Sequence, residues 1–243
     1  MNDDEWPESM GIATPYQPPL PEAQIFERTM QFLGEDGKPG TCFLYRREDW
    51  QYIVTADHLT TGERTEFVSL ITWEGERREG RPLRRIGDLN RDFGDMAIFE
   101  VDELFDLMPG SRVPHTMTGL ILGQEVLALG FPYGLVMRPM RKQPHPHLDD
   151  HFPMVKRGIA GGWDLHQPAP LIYLDAILNP GFSGGPVCHR NSVNGIMSIA
   201  GVVSGTLTQG ESPDGSWPSH VAAGLSIATQ IDVVDSIIAS HSG

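Results

Sequence analysis

The chain has 243 residues, with 27 glycines and 20 prolines, and its apolar residues occur in short runs. This composition favours many short strands and turns over long helices. The formal net charge of −14 opposes nonspecific binding to nucleic acid or to anionic lipid, so neither is expected as a partner.

The N-terminus and the cysteines predict a cytoplasmic protein. Residues 1–9 are acidic and lack the basic and apolar regions of a secretory signal. No apolar run approaches the roughly 18 residues needed to span a membrane. Cys42 and Cys188 are too few for a disulfide framework and have no metal-ligand spacing. We therefore expect two free thiols in a reducing compartment.

The first half of the chain predicts an arm followed by one set of strands. Residues 1–22 are rich in proline and acidic side chains, which favours an extended or disordered arm. Residues 23–33 fit either a short helix or a first strand. The run Arg77, Arg78, Arg81, Arg84 and Arg85 is interpreted as a solvated hairpin. Strands are predicted at 40–45, 50–56, 66–73, 82–86 and 95–101.

The second half predicts a matching set of strands after a crossing at residues 102–118. The strands are predicted at 125–130, 155–161, 171–175, 185–189, 195–204 and 223–228. Apolar residues at helical spacing predict a short C-terminal helix over residues 231–239. The expected fold is all-β, with two antiparallel six-stranded barrels at residues 23–115 and 116–243.

Residues 138–154 form a long insertion without strand character. Its His145, His147, Asp149, Asp150 and His151 are residue types that bind zinc, but histidines on a proline-stiffened loop are more often solvated. We expect no metal and no cofactor, and we treat the insertion as a hypothetical regulatory or partner-docking loop.

The segment from Asn179 to Pro186 places a serine among glycines. Ser183 is interpreted as a nucleophile, which needs a neighbouring base and a group that stabilises an oxyanion. Gly181 and Gly184 allow backbone conformations that turn successive N–H groups into one concavity. The predicted oxyanion hole spans Gly181, Phe182 and Ser183, with the Gly181 and Ser183 amides as donors. The alternative is an ordinary tight turn between strands.

Two candidate partners of Ser183 stand upstream. His58 directly follows an apolar strand, and Asp95 opens another. In a serine hydrolase the histidine takes the serine proton and returns it to the leaving group, while the aspartate fixes the histidine tautomer and stabilises the imidazolium. The three residues are predicted to form a catalytic triad.

Three blocks of the sequence resemble the active-site blocks of chymotrypsin-like serine peptidases. They are Val54-Thr55-Ala56-Asp57-His58, Asp95-Met96-Ala97-Ile98 and Gly181-Phe182-Ser183-Gly184-Gly185-Pro186. Within that superfamily the chain is most similar to the HtrA/Deg branch, on residues 127–134, 175–181 and 224–228. No PDZ domain is expected. The resemblance implies two barrels with the triad in the cleft between them.

The departures from the family pattern are also informative. Phe182 stands where secreted members usually carry an aspartate that pairs with a freed amino terminus. Activation by that ion pair is therefore not expected.

The resemblance also implies where substrate binds. Ile177 stands six residues before Ser183, where trypsin-like members carry an acidic selector, so cleavage after Arg or Lys is disfavoured. Val203, Ser204, Gly205 and Thr206 are predicted to form a pocket wall.

The expected function is that of a serine endopeptidase that cleaves polypeptides through an acyl-enzyme, after small or medium apolar residues. One alternative is a catalytically silent protease-fold binding module. The other is a GxSxG esterase or lipase of the α/β-hydrolase type, which requires a helix directly after the serine. A regulatory protein partner or a homo-oligomer is left open.

Overall fold

The computed structural model describes residues 20–34, 37–63, 65–72, 77–87, 94–101, 104–105, 113–136, 151–166, 169–208 and 222–241. In this part of the chain, strands dominate and α-helix is confined to two short segments. The all-β prediction is therefore confirmed. The predicted arm up to residue 19, and residues 138–150 of the predicted insertion with four of its five candidate metal ligands, lie outside the described residues.

The first six strands close into an antiparallel barrel in the order β1-β2-β3-β6-β5-β4, because β1 also pairs with β4. Residues 23–33, which fitted a helix or a strand, contain both: helix α1, Leu20–Arg28, runs directly into β1. The strands are β1 Thr29–Leu33, β2 Pro39–Arg47, β3 Trp50–Thr55, β4 Thr65–Ile71, β5 Arg77–Ile86 and β6 Ala97–Glu100.

The second barrel repeats this arrangement and closes through the pairing of β10 with β7. The predicted C-terminal helix is present as α2, Asp232–His241, which begins one residue later and ends two residues later than predicted. The strands are β7 Glu125–Gly130, β8 Met154–Asp164, β9 Leu171–Asp175, β10 Pro186–Arg190, β11 Met197–Thr208 and β12 Ala222–Gln230. Since the serine turn leads into strand β10 rather than a helix, the α/β-hydrolase alternative does not fit the fold.

The two barrels share one core because strand β2 is buried on both faces. Cys42 and Leu44 contribute to the interior of the first barrel, whereas Phe43 and Tyr45 belong to a cluster between the barrels and helix α2. A strand that is buried on both faces has a continuous run of apolar residues in its sequence. The shared cluster includes Phe43, Tyr45, Val54, Leu129, Cys188, Ile199, Val234 and Ile237. This packing fixes the seam at which the candidate site lies.

The arginine run lies on strand β5, as the hairpin interpretation requires, but not all of it is solvated. The side chain of Arg84 is 65% exposed and lies near Glu100. The side chain of Arg85 is only 10% exposed and pairs with Asp57. Successive residues of a strand point to opposite faces, so one arginine faces solvent and the next faces the barrel edge. The solvated interpretation is therefore wrong for Arg85.

Candidate active site

His58 and Asp95 meet at the edge of the first barrel. Strand β3 ends at Thr55, and the chain then enters a 3₁₀ turn over Asp57–Leu59. Asp95 stands just before β6, which pairs with β3. Asp95 Oδ2 lies 2.6 Å from His58 Nδ1, and Asp95 Oδ1 accepts a hydrogen bond from the His58 amide at 2.9 Å. One carboxylate thus holds both the ring and the backbone of the histidine.

The surroundings of His58 favour its protonated form. The hydrogen bond that the His58 ring donates to Asp95 is the main cause that raises the His58 pKa, and partial burial opposes it. The charge of Asp57 raises the pKa further, whereas that of Lys38 lowers it. With the carboxylate ionised, the proton of the neutral ring belongs on Nδ1, which leaves Nε2 free to accept a proton.

The serine turn adopts a shape that requires glycine at two positions. The φ angles are +102° at Gly181 and +82° at Gly184. A Cβ on Gly184 would overlap Thr41 O and would lie 2.8 Å from Ala56 N. The Thr41 amide also donates to Ser183 O at 2.9 Å. The turn therefore packs on β2 and on the residue that leads into the His58 turn.

Ser183 is thus placed at the seam with His58 and Asp95, although the serine hydroxyl is not engaged. Among the described residues, no hydrogen bond joins Ser183 Oγ to the His58 ring. Catalytic hydrogen bonds are often long or poorly aligned in a protein without substrate. The structure joins His58 to Asp95 and packs the serine turn against Thr41 and Ala56, beside the His58 turn.

Two amides of the turn are available as donors. The carbonyl of Pro180 accepts a hydrogen bond from the Tyr133 amide at 2.8 Å, and that of Phe182 accepts one from Gly185 at 2.9 Å. Across a planar trans peptide the N–H points away from the C=O, so the Gly181 and Ser183 amides are turned the opposite way. Within the described part of the chain, neither amide donates to the backbone.

Phe182 does not share this role. Its amide donates to Asn179 O at 3.2 Å, and its side chain is fully buried in the core of the second barrel. The residue anchors the turn instead of offering a donor, so Gly181 and Ser183 alone remain as the predicted oxyanion hole.

The turn is supported by the segment that follows strand β7. The Gly181 carbonyl accepts hydrogen bonds from Thr41 Oγ1 at 2.6 Å and from the Phe131 amide at 3.4 Å. Tyr133 takes a φ of +54°, which places its amide against the Pro180 carbonyl. The two peptides that flank Gly181 are therefore held by different partners, the one before it by Tyr133 and the one after it by Thr41 and Phe131.

Four of the five predicted pocket residues are consecutive on strand β11, and the hydroxyl groups of two of them are already hydrogen-bonded. Ser204 Oγ lies 2.8 Å from Thr229 Oγ1, and Thr206 Oγ1 donates to Leu178 O at 2.9 Å. Val203 is buried, whereas Ile177 is 51% exposed. A Cβ built on Gly205 would meet open space.

Sequence reasoning missed two residues that hold the loop before the serine. Ser226 Oγ donates to Ala176 O at 2.8 Å and accepts from the Leu178 amide at 3.2 Å. Lys156 Nζ donates to Ile177 O and, at 2.8 Å, to Asn179 Oδ1. The signal for Ser226 was its place in the family-like segment at residues 224–228. Nothing local marks Lys156, because its contacts arise from the pairing of distant strands.

The described residues contain no cluster of histidine, cysteine or acidic side chains that could hold a metal ion. Cys42 and Cys188 are buried and unpaired, and burial raises the pKa of both thiols. In the described ranges, no helix is long and apolar enough to cross a membrane.

Two closed barrels, with a histidine–aspartate pair on the first and a glycine-flanked serine on the second, define the chymotrypsin-like class of fold. The chain belongs to the family of trypsin-like peptidase domains, whose family model matches residues 40–196. No curated protein sequence matches the chain significantly.

Solved structures with the same fold include HtrA-type proteases. The Rv3671c protease of M. tuberculosis, crystallised in an inactive form, has a TM-score of 0.58 at 15% identity, covering 92% of this chain and 93% of that protein. The serine endoprotease from Yersinia pestis has a TM-score of 0.59 at 16% identity, covering 90% of this chain and 64% of the other.

The HtrA-type protease AlgW, solved with a tripeptide, has a TM-score of 0.59 at 18% identity, covering 90% of this chain and 62% of AlgW. The chain thus spans somewhat less than two thirds of the latter two proteins. No PDZ domain lies within the residues that the structure describes.

Proposed function

We propose that this protein is a serine endopeptidase, with Ser183 as nucleophile, His58 as general base and acid, and Asp95 as the residue that orients His58. The observation that carries the proposal is the two-point contact of Asp95 with His58, across the seam from a serine turn whose Gly181 and Ser183 amides are unengaged. Family membership supports a hydrolase that acts on polypeptides.

The proposed reaction proceeds in two halves. Ser183 Oγ attacks the scissile carbonyl carbon while His58 Nε2 takes the hydroxyl proton, and the Gly181 and Ser183 amides hold the oxyanion. The C–N bond then breaks, His58 returns its proton to the leaving amine, and an ester remains on Ser183. Water, deprotonated by His58, hydrolyses this ester, which releases the carboxylic acid product and restores the serine.

We further propose a preference for small or medium apolar residues before the scissile bond. The Thr206 and Ser226 hydroxyls are committed to backbone carbonyls of residues 176 and 178. The position of the usual acidic selector carries Ile177, so a lysine or arginine side chain would enter without a countercharge. A peptide library is the direct measurement, and dominant cleavage after Arg or Lys would refute the preference.

A catalytically silent binding module is the second candidate. The specific observation in its favour is the absence of a Ser183–His58 hydrogen bond among the described residues. A protease-fold protein without turnover would keep the cleft and bind polypeptide without cleaving it.

A serine-directed fluorophosphonate probe separates the two candidates. The endopeptidase should be labelled at Ser183, and Ser183→Ala should abolish labelling and lower turnover by about a millionfold. Circular dichroism and a thermal melt confirm that each sample is folded. Well-folded protein that is never labelled and never cleaves a peptide library would favour the binding module.

Compartment and partners are also part of the proposal. We propose residence in the cytoplasm, which the two unpaired buried cysteines support. A regulatory protein partner or self-association is proposed as a means of control, to be tested by light scattering and by activity at varied concentration.

A further inference from the structure

We propose that Arg85 is a positioning residue for His58: it ties together both ends of the turn that carries His58 and offsets part of the charge of Asp57. This inference rests on the proposed role of His58 as the general base. It assigns a task to an arginine that the sequence pattern placed on a solvated hairpin.

The contacts of Arg85 span the His58 turn. Arg85 Nη2 donates to Asp57 Oδ1 at 2.5 Å, and Arg85 Nη1 donates to Thr60 Oγ1 at 3.1 Å. Thr60 Oγ1 in turn donates to Asp57 O at 2.8 Å. Asp57 opens the 3₁₀ turn and Thr60 caps its end, so the planar guanidinium fixes the residues on either side of His58.

The same pair of strands delivers both groups that hold His58. Arg85 pairs in register with Phe99 of β6, and Asp95 stands just before that strand. Asp95 therefore holds His58 from one side through its ring and amide, while Arg85 holds the turn from the other side through Asp57 and Thr60. The Arg85 side chain is only 10% exposed, so the guanidinium is largely shielded from solvent, whereas its partner Asp57 is 42% exposed.

The Arg85–Asp57 pair affects the charge that acts on the His58 ring. The groups that act on the ring are Asp95 from before β6, Asp57 from its own turn, and Lys38 from before β2. Asp57 is a second carboxylate that favours the imidazolium, the form that cannot act as a base. Arg85 on β5 offsets that carboxylate, so Asp95 remains the dominant partner of the base.

The test measures the ionisation of His58 directly, so it does not depend on turnover. Protein with labelled histidine, carrying Ser183→Ala, is titrated by NMR, and the His58 signal is assigned with His58→Gln. Arg85→Gln should raise the His58 pKa, because it leaves the charge of Asp57 without its partner. Arg85→Lys keeps the charge and should restore the parent value.

Asp57→Asn supplies an independent arm, because its side chain is 42% exposed and the variant should fold. It should lower the His58 pKa, and the double variant should return near the parent value. Arg84→Gln is the matched control: it removes the same charge one residue away, on the solvent face, and should leave His58 unmoved.

An unchanged or lowered His58 pKa in Arg85→Gln would overturn the proposal, as would an unchanged or raised pKa in Asp57→Asn. A shift in Arg84→Gln as large as that in Arg85→Gln would also overturn it, because the effect would then reflect net charge alone. Failure of the proposed peptidase function is distinguishable, since it appears as absent probe labelling in Ser183 protein and leaves this titration intact.

Discussion

Gly181→Ala tests the proposed oxyanion hole more sharply than any other single change. Gly181 has a φ of +102°, and an added Cβ would overlap Phe131 O and would lie 2.9 Å from both Pro132 Cα and Tyr133 N. All three atoms are backbone, so no side chain can move aside. The left-handed conformation alone costs about 1–2 kcal/mol. The peptide that carries the Gly181 amide must therefore shift, so its N–H group no longer points at the oxyanion.

The expected loss is about 10²- to 10³-fold in kcat, the usual consequence of removing one oxyanion donor. The assay is peptide hydrolysis by folded protein, with thermal melting as a parallel measurement. Gly195→Ala is the matched control: Gly195 also has a positive φ, +69°, but its Cβ would meet nothing within 4 Å. Its left-handed conformation also costs about 1–2 kcal/mol, so the variant should lower Tm by about 2–8 °C with kcat unchanged. Gly181→Ala protein that retains kcat within about threefold would refute the assignment of this amide.

Three further predictions concern the same site. Because Asp95 raises the His58 pKa, kcat/KM should fall on the acid side with a midpoint above the ordinary 6.5. The protonated His58 contributes stability that is fully present below pH 6.5 and is lost as pH rises through the folded pKa. As pH rises through this range, Tm should therefore fall while kcat/KM rises. Lys156→Met should lower kcat by about tenfold by releasing the Ile177 and Asn179 contacts, whereas Arg157→Met, which loses only an exposed pair with Glu125, should not; equal losses would contradict this role. Phe182→Ala should cost about 3–5 kcal/mol of unfolding free energy, and a melt within about 2 °C of the parent would contradict its anchoring role.

The strand pattern was largely readable from the sequence because apolar runs and turns are local. Strands β7 and β9 fall on their predicted bounds, at Glu125–Gly130 and Leu171–Asp175. Strand β8 instead runs to Asp164, three residues beyond the predicted end, because its bulge opposite β9 lets the ladder continue past Gly161 and Gly162. Such irregularities depend on the partner strand and leave no signal in one segment.

The candidate triad was also readable, but the residues that hold it in place were not. His58, Asp95 and Ser183 stand in recognisable blocks. Arg85 appeared as one of five arginines, and only the strand phase at β5 shows that it faces Asp57. Lys156 donates a hydrogen bond to the 177–179 loop, which is distant from it in the sequence. Supporting residues are specified by register and packing, which one sequence without aligned relatives does not reveal.

The backbone of the serine turn is held by hydrogen bonds, whereas the hydroxyl of Ser183 is not held by any within the described part of the chain. Tyr133 holds the peptide before Gly181, Phe131 and Thr41 hold the peptide after it, and the buried apolar side chain of Phe182 anchors the turn in the core. Because the buried residue before Ser183 is apolar, it forms no ion pair. The contact that remains open among the described residues is the one between Ser183 Oγ and His58, across the seam of the barrels. In the proposed mechanism this is the contact still to be formed, because Ser183 Oγ must reach His58 Nε2 before it can transfer its proton.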